Sequence, residues 1–347
     1  MGMIKIPQAS EEFFANKYQK IFESGLLAEG DWNKNLEKWT EQYTSAKFAT
    51  ACNSNGAGIL AILNILRQKY GKTNIFIQSN TMYGVKTTAI TSGLKYVGAV
   101  NCKLDYLMPS LEQLQNFAIG LKEPENSIFL LTHIGGWINP EIESIAAYCC
   151  EKGITLIEDC AHSLGSTLNG KHSGLYGFAG VYSLYATKAI PAGEGGLIVT
   201  NNEKLDEEIK KYSIYDRFDQ KLDLGVNIRM SEISALLSYS VCKEIDQIIA
   251  NKYHIAEKYI VTCKENNWEF IHPTKNGQQA NLYKFILKTS KIDPGQVFNK
   301  IKTRTSPVYD YHLGADPEEV SNRHICLPIW YDLEDEIVDK VIAELEQ

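Results

Sequence analysis

Two continuous apolar runs, separated by a helical stretch, constrain the fold more than any other feature of the sequence. The run "SIFLLTHIGG" begins at Ser127 and "ITLIEDC" begins at Ile154, and each is typical of a strand buried on both faces. Between them, Asn139 and Pro140 predict the start of a helix and Gly153 predicts its end. Such a strand–helix–strand unit is almost always right-handed and parallel. The sequence therefore predicts an α/β fold around a parallel sheet.

The rest of the chain divides into two regions of different pattern. The runs "NIFIQSN", "GVYSLYA" and "GLIVT" extend the sheet, and "NGAGILAILNILRQKYG" predicts a helix. After residue 230 the pattern is helical for some 30 residues, and then come "LYKFILKTS", a short helix after Pro294, "HICLPIW" and a last helix capped at Asp332. We expect a large, mostly parallel mixed-sheet α/β domain over residues 1–230, and a long linking helix with a smaller α+β domain over residues 231–347.

Composition excludes several classes of function. The 347 residues are 44% hydrophobic, which is enough to form a large core. The formal net charge is −7, and this negative charge predicts no nucleic-acid partner. The eight cysteines form no CxxC pair, so we expect no metal site and no disulfide framework, but buried thiols in a reducing compartment. No apolar run reaches the length of a membrane span. We expect a cytoplasmic protein without a membrane partner.

Three polar residues occur where a site would lie in such a sheet. Asp159 stands at the carboxyl end of "ITLIED", where open parallel sheets bind ligands, although an acid there can equally be a capping or structural carboxylate. Lys188 follows 29 residues later in an apolar setting, and Ser183 lies five residues before it. These residues suit pyridoxal phosphate: the acid keeps the pyridine nitrogen protonated, the lysine forms a Schiff base, and the hydroxyl binds phosphate.

Several motifs in order resemble one known family. "GLLAEGDWNKNLEKW", "LTHIGG", "LIEDCAHSLGS", "YSLYATKAIPAGEGGLIVTN", "LGVNIRMSEISALL" and "HICLPIW" are similar to segments of the DegT/DnrJ/EryC1/StrS family of pyridoxal-phosphate-dependent sugar aminotransferases. Each motif is weak by itself, whereas their order and spacing over nearly the whole chain are specific. The resemblance implies the aspartate aminotransferase fold, known as fold type I.

The resemblance also implies roles for the cofactor residues. Lys188 carries pyridoxal 5′-phosphate and moves protons, Asp159 pairs with the pyridinium nitrogen, and His162 approaches the phenolic oxygen. Ser183 and the backbone amides around Gly56 and Ala57, at a helix N-terminus, bind the phosphate. Asn227 reaches that phosphate from a second subunit, which implies a homodimer with shared active sites.

Further residues are implied near the substrate, and two positions depart from the family pattern. His133, Glu194, Arg229 and His312 lie on motifs near the substrate, although His133 can instead be structural and Glu194 a solvated turn.

Ala57 lacks the hydroxyl of the family's usual threonine. Met82 stands where relatives place an aromatic ring over the cofactor; it can pack on the cofactor or in the core.

These observations predict an aminotransferase that moves an amino group from an amino acid, L-glutamate by analogy, to a nucleotide-linked keto sugar. Three alternatives stay open. One is a sugar dehydratase of the same family, although members of that type carry His in place of Lys188. Another is a non-catalytic binding protein, which Ala57 and Met82 keep open, and the third is a cysteine-desulfurase-type lyase.

Overall fold

The largest sheet has seven strands and is mostly parallel, as the apolar runs predict. In the computed structural model, which describes residues 5–215 and 221–347, its order is β1-β9-β8-β5-β4-β2-β3. The strands of the described chain are β1 (Phe48–Cys52), β2 (Asn74–Gln78), β3 (Lys95–Val100), β4 (Ser127–Thr132), β5 (Thr155–Cys160), β6 (Thr167–Leu168), β7 (Lys171–His172), β8 (Ala179–Ser183), β9 (Gly196–Thr200), β10 (Glu269–Phe270), β11 (Gln278–Gln279), β12 (Phe285–Lys288) and β13 (His324–Leu327). Strand β9 is antiparallel to both β8 and β1, and the other neighbours pair in parallel.

Helices cover both faces of this sheet. They are α1 (Gln8–Ser24), α2 (Asp31–Thr44), α3 (Asn55–Lys69), α4 (Tyr83–Thr91), α5 (Leu111–Ala118), α6 (Ile142–Glu151), α7 (Glu203–Ile214), α8 (Glu232–Cys242), α9 (Ile245–Glu265), α10 (Pro294–Lys300) and α11 (Asp335–Leu345), with a 3₁₀ turn at Pro124–Asn126. Apolar side chains of α3, α4 and α7 form one core against the strands, and those of α5 and α6 form another. Because both faces are covered, the central strands β4 and β5 are buried almost along their whole length and mostly apolar.

Three predicted helices differ from the observed ones. Helix α6 begins at Ile142 after Glu141, two residues later than the predicted start at Pro140, and has no side-chain cap. The predicted 30-residue helix is interrupted at Lys243 and Glu244, where Glu244 has φ −99° and ψ 14° and its N–H bonds the Val241 carbonyl three residues back. The apolar spacing continues across this break without a glycine or proline, so the sequence pattern does not reveal it. The last helix begins at Asp335 after Glu334, because Asp332, the predicted cap, has a φ of 56°.

A second, antiparallel sheet has the order β10-β12-β13 and packs against α9 and α11. Helix α8 instead packs with α1 and α2 beside the large sheet. The division into domains at residues 230 and 231 stays a prediction. In the described part of the chain, no helix is both long and apolar enough to cross a membrane.

Seven of the eight cysteines are buried and free, as the spacing predicts, while Cys150 is free but exposed. Cys150 is the residue before the last one of helix α6 and is not among the buried residues of that helix. The prediction of buried thiols is therefore wrong at this position.

Candidate active site

The candidate site lies at the edge where the parallel strands end. Strands β5 and β8 are parallel neighbours, so the residues at their carboxyl ends, Asp159 and Ser183, share this edge. Helix α3 begins at the same edge, where the Ser54 hydroxyl accepts a bond from the Ala57 N–H at 3.1 Å and caps the helix. The fold thus brings the acid on β5, the hydroxyl at the end of β8 and the N-terminus of α3 to one edge of the sheet.

Asp159 is buried and held in one orientation. Its Oδ1 accepts bonds from the Asn55 amide and the Ala161 N–H, both at 3.0 Å, whereas Oδ2 accepts a long 3.4 Å bond from Thr132. Burial raises the pKa of Asp159, and the bonds from Ala161 and Asn55 and the Lys188 charge oppose that rise. A buried carboxylate with a weakly bonded oxygen is suited to a cationic partner, which would favour the ionised form.

Lys188 follows strand β8 in the loop that leads to β9. Burial lowers the pKa of Lys188 to about 8, while the Asp159 charge raises it and the Lys284 charge lowers it further. The Lys188 Nζ lies 5.1 Å from the centroid of the Tyr283 ring. Because the pKa lies near neutrality, the nitrogen is available both as an amine and as an ammonium group.

His162 forms one wall of the site. It is buried, its Nδ1 accepts a 3.3 Å bond from the Gly135 N–H, and its ring stacks on Tyr283 with centroids 4.4 Å apart. Burial, together with the Lys188 and Lys284 charges, lowers the pKa of His162 well below its ordinary value. A neutral imidazole that accepts at Nδ1 carries its proton on Nε2, so Nε2 is a donor.

The predicted phosphate-binding residues lie together at the start of α3 and the end of β8. Gly56 is exposed in the first helical turn, where N–H groups have no partner within the helix, and a Cβ at Gly56 would meet no atom within 4 Å. The Ala57 N–H, by contrast, already donates to Ser54. The Ser183 hydroxyl is buried and accepts a 3.3 Å bond from the Tyr185 N–H. This open cradle at a helix N-terminus fits a phosphate group.

His133 is directed into the protein. Its Nε2 lies 2.8 Å from the Glu158 carboxylate, its Nδ1 accepts a 3.1 Å bond from the Asn139 N–H, and the side chain is fully buried. Glu158 also accepts bonds of 2.7 Å from three backbone N–H groups, those of Gly174, Tyr176 and Gly177. With both ring nitrogens bonded to protein groups, His133 supports the frame of the site, and this geometry argues against contact with substrate.

His133, Glu158 and Cys160 place three potential metal-ligand atoms within 4.8 Å of one another. The bonds described above occupy both histidine nitrogens and the carboxylate. This cluster is therefore a hydrogen-bonded core rather than a set of open ligands.

The other predicted residues lie at the surface of the chain or in loops. Glu194 is exposed in the turn before β9, and Met82 is 52% exposed immediately before α4, so the alternative that Met82 packs in the core is wrong. The His312 Nε2 lies 2.8 Å from the Ser79 hydroxyl and 3.6 Å from the Asp316 carboxylate. This contact fixes the 305–323 loop over the end of β2, and a substrate role for His312 stays a prediction.

Asn227 and Arg229 are adjacent on an irregular segment. The exposed Asn227 accepts a 3.1 Å bond from the Arg229 N–H through Oδ1. The Arg229 guanidinium donates to the Ser213 carbonyl at the end of α7 and lies 3.6 Å from the Glu29 carboxylate. Within one chain, Arg229 therefore joins α7 to the segment before α2, and its predicted contact with substrate remains untested.

Four residues of the site were missed by the sequence analysis. Asn55 and Thr132 hold Asp159, and both lie next to residues that the motifs did single out, which is the signal that could have found them. Tyr283 and Lys284 come from the segment before β12, more than 90 residues beyond Lys188. Only the tertiary fold brings that segment to the site.

A mixed seven-stranded sheet, with a buried acid on one strand, a lysine in the loop after the neighbouring strand and an open helix N-terminus beside them, is the architecture of fold type I. The chain belongs to the DegT/DnrJ/EryC1/StrS aminotransferase family, whose sequence profile matches residues 8–346. It is accordingly an enzyme of the transaminase class, in a family that depends on pyridoxal phosphate.

Solved structures with the same fold include three aminotransferases. DesI, crystallised in the presence of its TDP-sugar product, has a TM-score of 0.86 at 19% identity, with 100% of this chain and 92% of that chain covered. TlmJ from Streptoalloteichus hindustanus has a TM-score of 0.85 at 19% identity, with 99% and 96% covered. Helicobacter pylori PseC, involved in the biosynthesis of pseudoaminic acid, has a TM-score of 0.83 at 20% identity, with 99% and 96% covered. At these identities the likeness establishes the fold.

Proposed function

We propose that this enzyme transfers an amino group from L-glutamate to a nucleotide-linked keto sugar, with pyridoxal 5′-phosphate held by Lys188. The observation that carries the proposal is the position of Lys188 in the loop after β8, the parallel neighbour of the strand β5 that carries the buried Asp159. Burial lowers the pKa of Lys188 there, and the Asp159 charge opposes that lowering. The TDP-sugar product of DesI and the sugar pathway of PseC support a nucleotide-sugar substrate.

The residues of the site fit the cofactor. Asp159 would hold the ring nitrogen through Oδ2, and the Nε2–H of His162 would donate to the phenolic oxygen. Gly56 and Ser183 would bind the phosphate. When bound, pyridoxal phosphate supplies an electron sink that stabilises negative charge at the carbon that carries the transferred amine.

The chain's own groups perform the proton transfers and exclude water. In the first half of the reaction Lys188 would accept at Nζ the proton that leaves the donor's α-carbon and pass it on, which leaves Nζ free again. In the second half it would carry a proton in the opposite direction, which its pKa of about 8 permits near neutral pH. Asp159 remains fixed by Asn55 and Ala161, so its charge needs no reorganisation. Tyr283 stacks on His162 and lies 5.1 Å from the Lys188 Nζ, so its ring takes the place of water beside both groups.

The direct test is chemical labelling of Lys188. After reduction of the cofactor-loaded protein with borohydride, peptide mapping is expected to find the cofactor on Lys188, and Lys188→Ala is expected to be unlabelled and inactive. Lys288→Ala, which removes a lysine from strand β12 outside the site, is the matched control. An unmodified Lys188 after reduction would contradict the proposal.

Two further measurements separate the alternatives. Production of 2-oxoglutarate from glutamate, with ping-pong kinetics in the presence of a nucleotide keto sugar, distinguishes amino transfer from dehydration. A titration with pyridoxal phosphate distinguishes an enzyme from a binding protein that has lost cofactor affinity. Screening nucleotide keto sugars by mass change then identifies the acceptor.

We also propose that the active unit is a homodimer in which Asn227 reaches the neighbouring subunit's phosphate site. Its side chain is exposed near the start of α3, which supports a role outside its own fold. Lys188→Ala and Asn227→Ala are each expected to be impaired alone. A mixture of the two, refolded together, is expected to regain activity because some mixed dimers contain one intact site. No recovery, with mixed dimers demonstrated, would contradict shared sites.

A further inference from the structure

A second lysine, Lys284, lies beside the candidate active site, on the segment that leads into β12. The Lys284 N–H bonds the Gly135 carbonyl at 2.9 Å, which ties this segment to the turn after β4. The Lys284 Nζ lies 5.6 Å from the centroid of the Tyr283 ring, and the Lys188 Nζ lies 5.1 Å from the same centroid. Two ammonium groups are therefore placed around one aromatic ring.

Neither lysine forms an ion pair among the described residues, but the nearby Asp159 charge opposes the lowering of the Lys188 pKa by burial. Lys284 is partly buried, and none of the ion pairs among residues 5–215 and 221–347 involves its side chain. Lys288, on the same face of the same strand segment, is by contrast 2.9 Å from Asp105.

A partly buried cation without an ion pair is stabilised when a ligand supplies the opposite charge. The Lys284 charge also lowers the pKa values of both Lys188 and His162, as expected of a cation that lies near these two groups. An anion bound at Lys284 would offset this repulsion. We therefore expect an anionic group of a substrate to bind beside the Lys284 ammonium group.

We propose that Lys284 binds the carboxylate of the amino donor. The inference rests on the proposed amino transfer, in which the donor's carboxylate is attached to the same carbon as the reacting nitrogen and so must lie beside Lys188. The phosphates of a nucleotide sugar are separated from the reacting carbonyl by the sugar ring. Of the two anions, the carboxylate is the one that belongs at the Lys284 position.

The test is a binding titration that needs no turnover. The full-length, cofactor-loaded protein is titrated calorimetrically with 2-oxoglutarate and, separately, with TDP. A hydrogen bond to a charged group contributes about 1.5 to 3 kcal/mol, so Lys284→Gln is expected to weaken 2-oxoglutarate binding by about tenfold to a hundredfold while leaving TDP binding unchanged. Lys284→Arg is expected to restore most of the affinity, and Lys288→Gln is the control of equal charge change.

The outcomes are distinct. Selective loss of 2-oxoglutarate affinity in Lys284→Gln, with rescue by Lys284→Arg, supports the assignment. Loss of TDP affinity alone would assign Lys284 to the nucleotide sugar and would overturn the proposal. Unchanged binding of both ligands to Lys284→Gln would overturn it as well. Circular dichroism confirms that each variant is folded. Failure of the proposed function would appear separately, as a wild-type protein that binds 2-oxoglutarate but forms none from glutamate with any keto sugar.

Discussion

Lys252 offers a quantitative test of the structure. It lies on helix α9 with 3% of its surface exposed, and its Nζ donates a 3.3 Å bond to the carbonyl of Ala189, the residue after Lys188. Burial lowers the pKa of Lys252 from 10.5 to about 7. Between these two pH values the unfolded chain binds this proton more tightly than the folded chain does, so the buried lysine destabilises the fold.

The sign and size of the effect follow from linkage. The free-energy cost of burying the Lys252 charge is largest below pH 7, decreases as the pH rises, and disappears above the pKa of the lysine in the unfolded chain. One pKa unit corresponds to about 1.36 kcal/mol. The shift to about 7 therefore gives a cost of about 4 kcal/mol at pH 7.5 and about 1.5 kcal/mol at pH 9.5. Replacing Lys252 by Met removes the charge and keeps most of the volume.

The assay compares the free energy of unfolding of Lys252→Met with that of the wild type, by urea denaturation at both pH values and one cofactor concentration. The variant's advantage is expected to fall by about 2.5 kcal/mol from pH 7.5 to pH 9.5. Other titrating groups cancel because both proteins contain them. Lys258→Met, at a more exposed position of the same helix, is the control and is expected to show little change. A wild-type–variant difference that does not depend on pH would refute the reasoning.

Three further predictions concern the site. Asp159→Asn is expected to slow amino transfer from the donor by about a hundredfold or more in stopped-flow measurements at saturating cofactor, since an amide cannot pair with a protonated ring nitrogen; a smaller loss would mean that Asp159 is mainly structural. Ala57→Thr is expected to lower the cofactor dissociation constant by about tenfold in equilibrium dialysis, because it adds a hydroxyl beside the phosphate cradle. Ala57→Val, which adds similar volume without a hydroxyl, is the matched control. Equal cofactor affinities of the threonine and valine variants would refute this prediction. The rate of cofactor attachment is expected to rise with pH and level off above about 8, the pKa to which burial lowers Lys188, because the neutral amine reacts; a rate that falls over this range would contradict the assignment.

Local sequence patterns predicted the parts of the fold that depend on neighbouring residues. The apolar runs that became β4 and β5 are buried along their length, and burial on both faces requires such runs wherever helices cover both sides of a sheet. Because ligands bind outside the carboxyl ends of parallel strands, the run that became β5 also predicted a site at Asp159. The resemblance to a family added the roles of the site residues, which spacing alone does not reveal.

What depends on distant segments could not be predicted in this way. His133 lies at a strand end, but only the position of Glu158 and Asn139 around its ring shows that both nitrogens are bonded. The break at Lys243 carries no local signal, since the apolar pattern is continuous through it. Nothing in the sequence around Tyr283 and Lys284 indicates that they lie near Lys188, because only the folded chain brings the two segments together.

The sequence by itself determined the alternation of strands and helices, the edge at which the site forms, and the acid and amine placed there, because these follow from local periodicity and strand direction. The tertiary structure decided which side chains surround that amine, which histidine is tied into the core, and that a second lysine stands unpaired beside the first. These depend on contacts between segments far apart in the chain, where burial and electrostatic neighbours, rather than residue type, set the chemistry of each group.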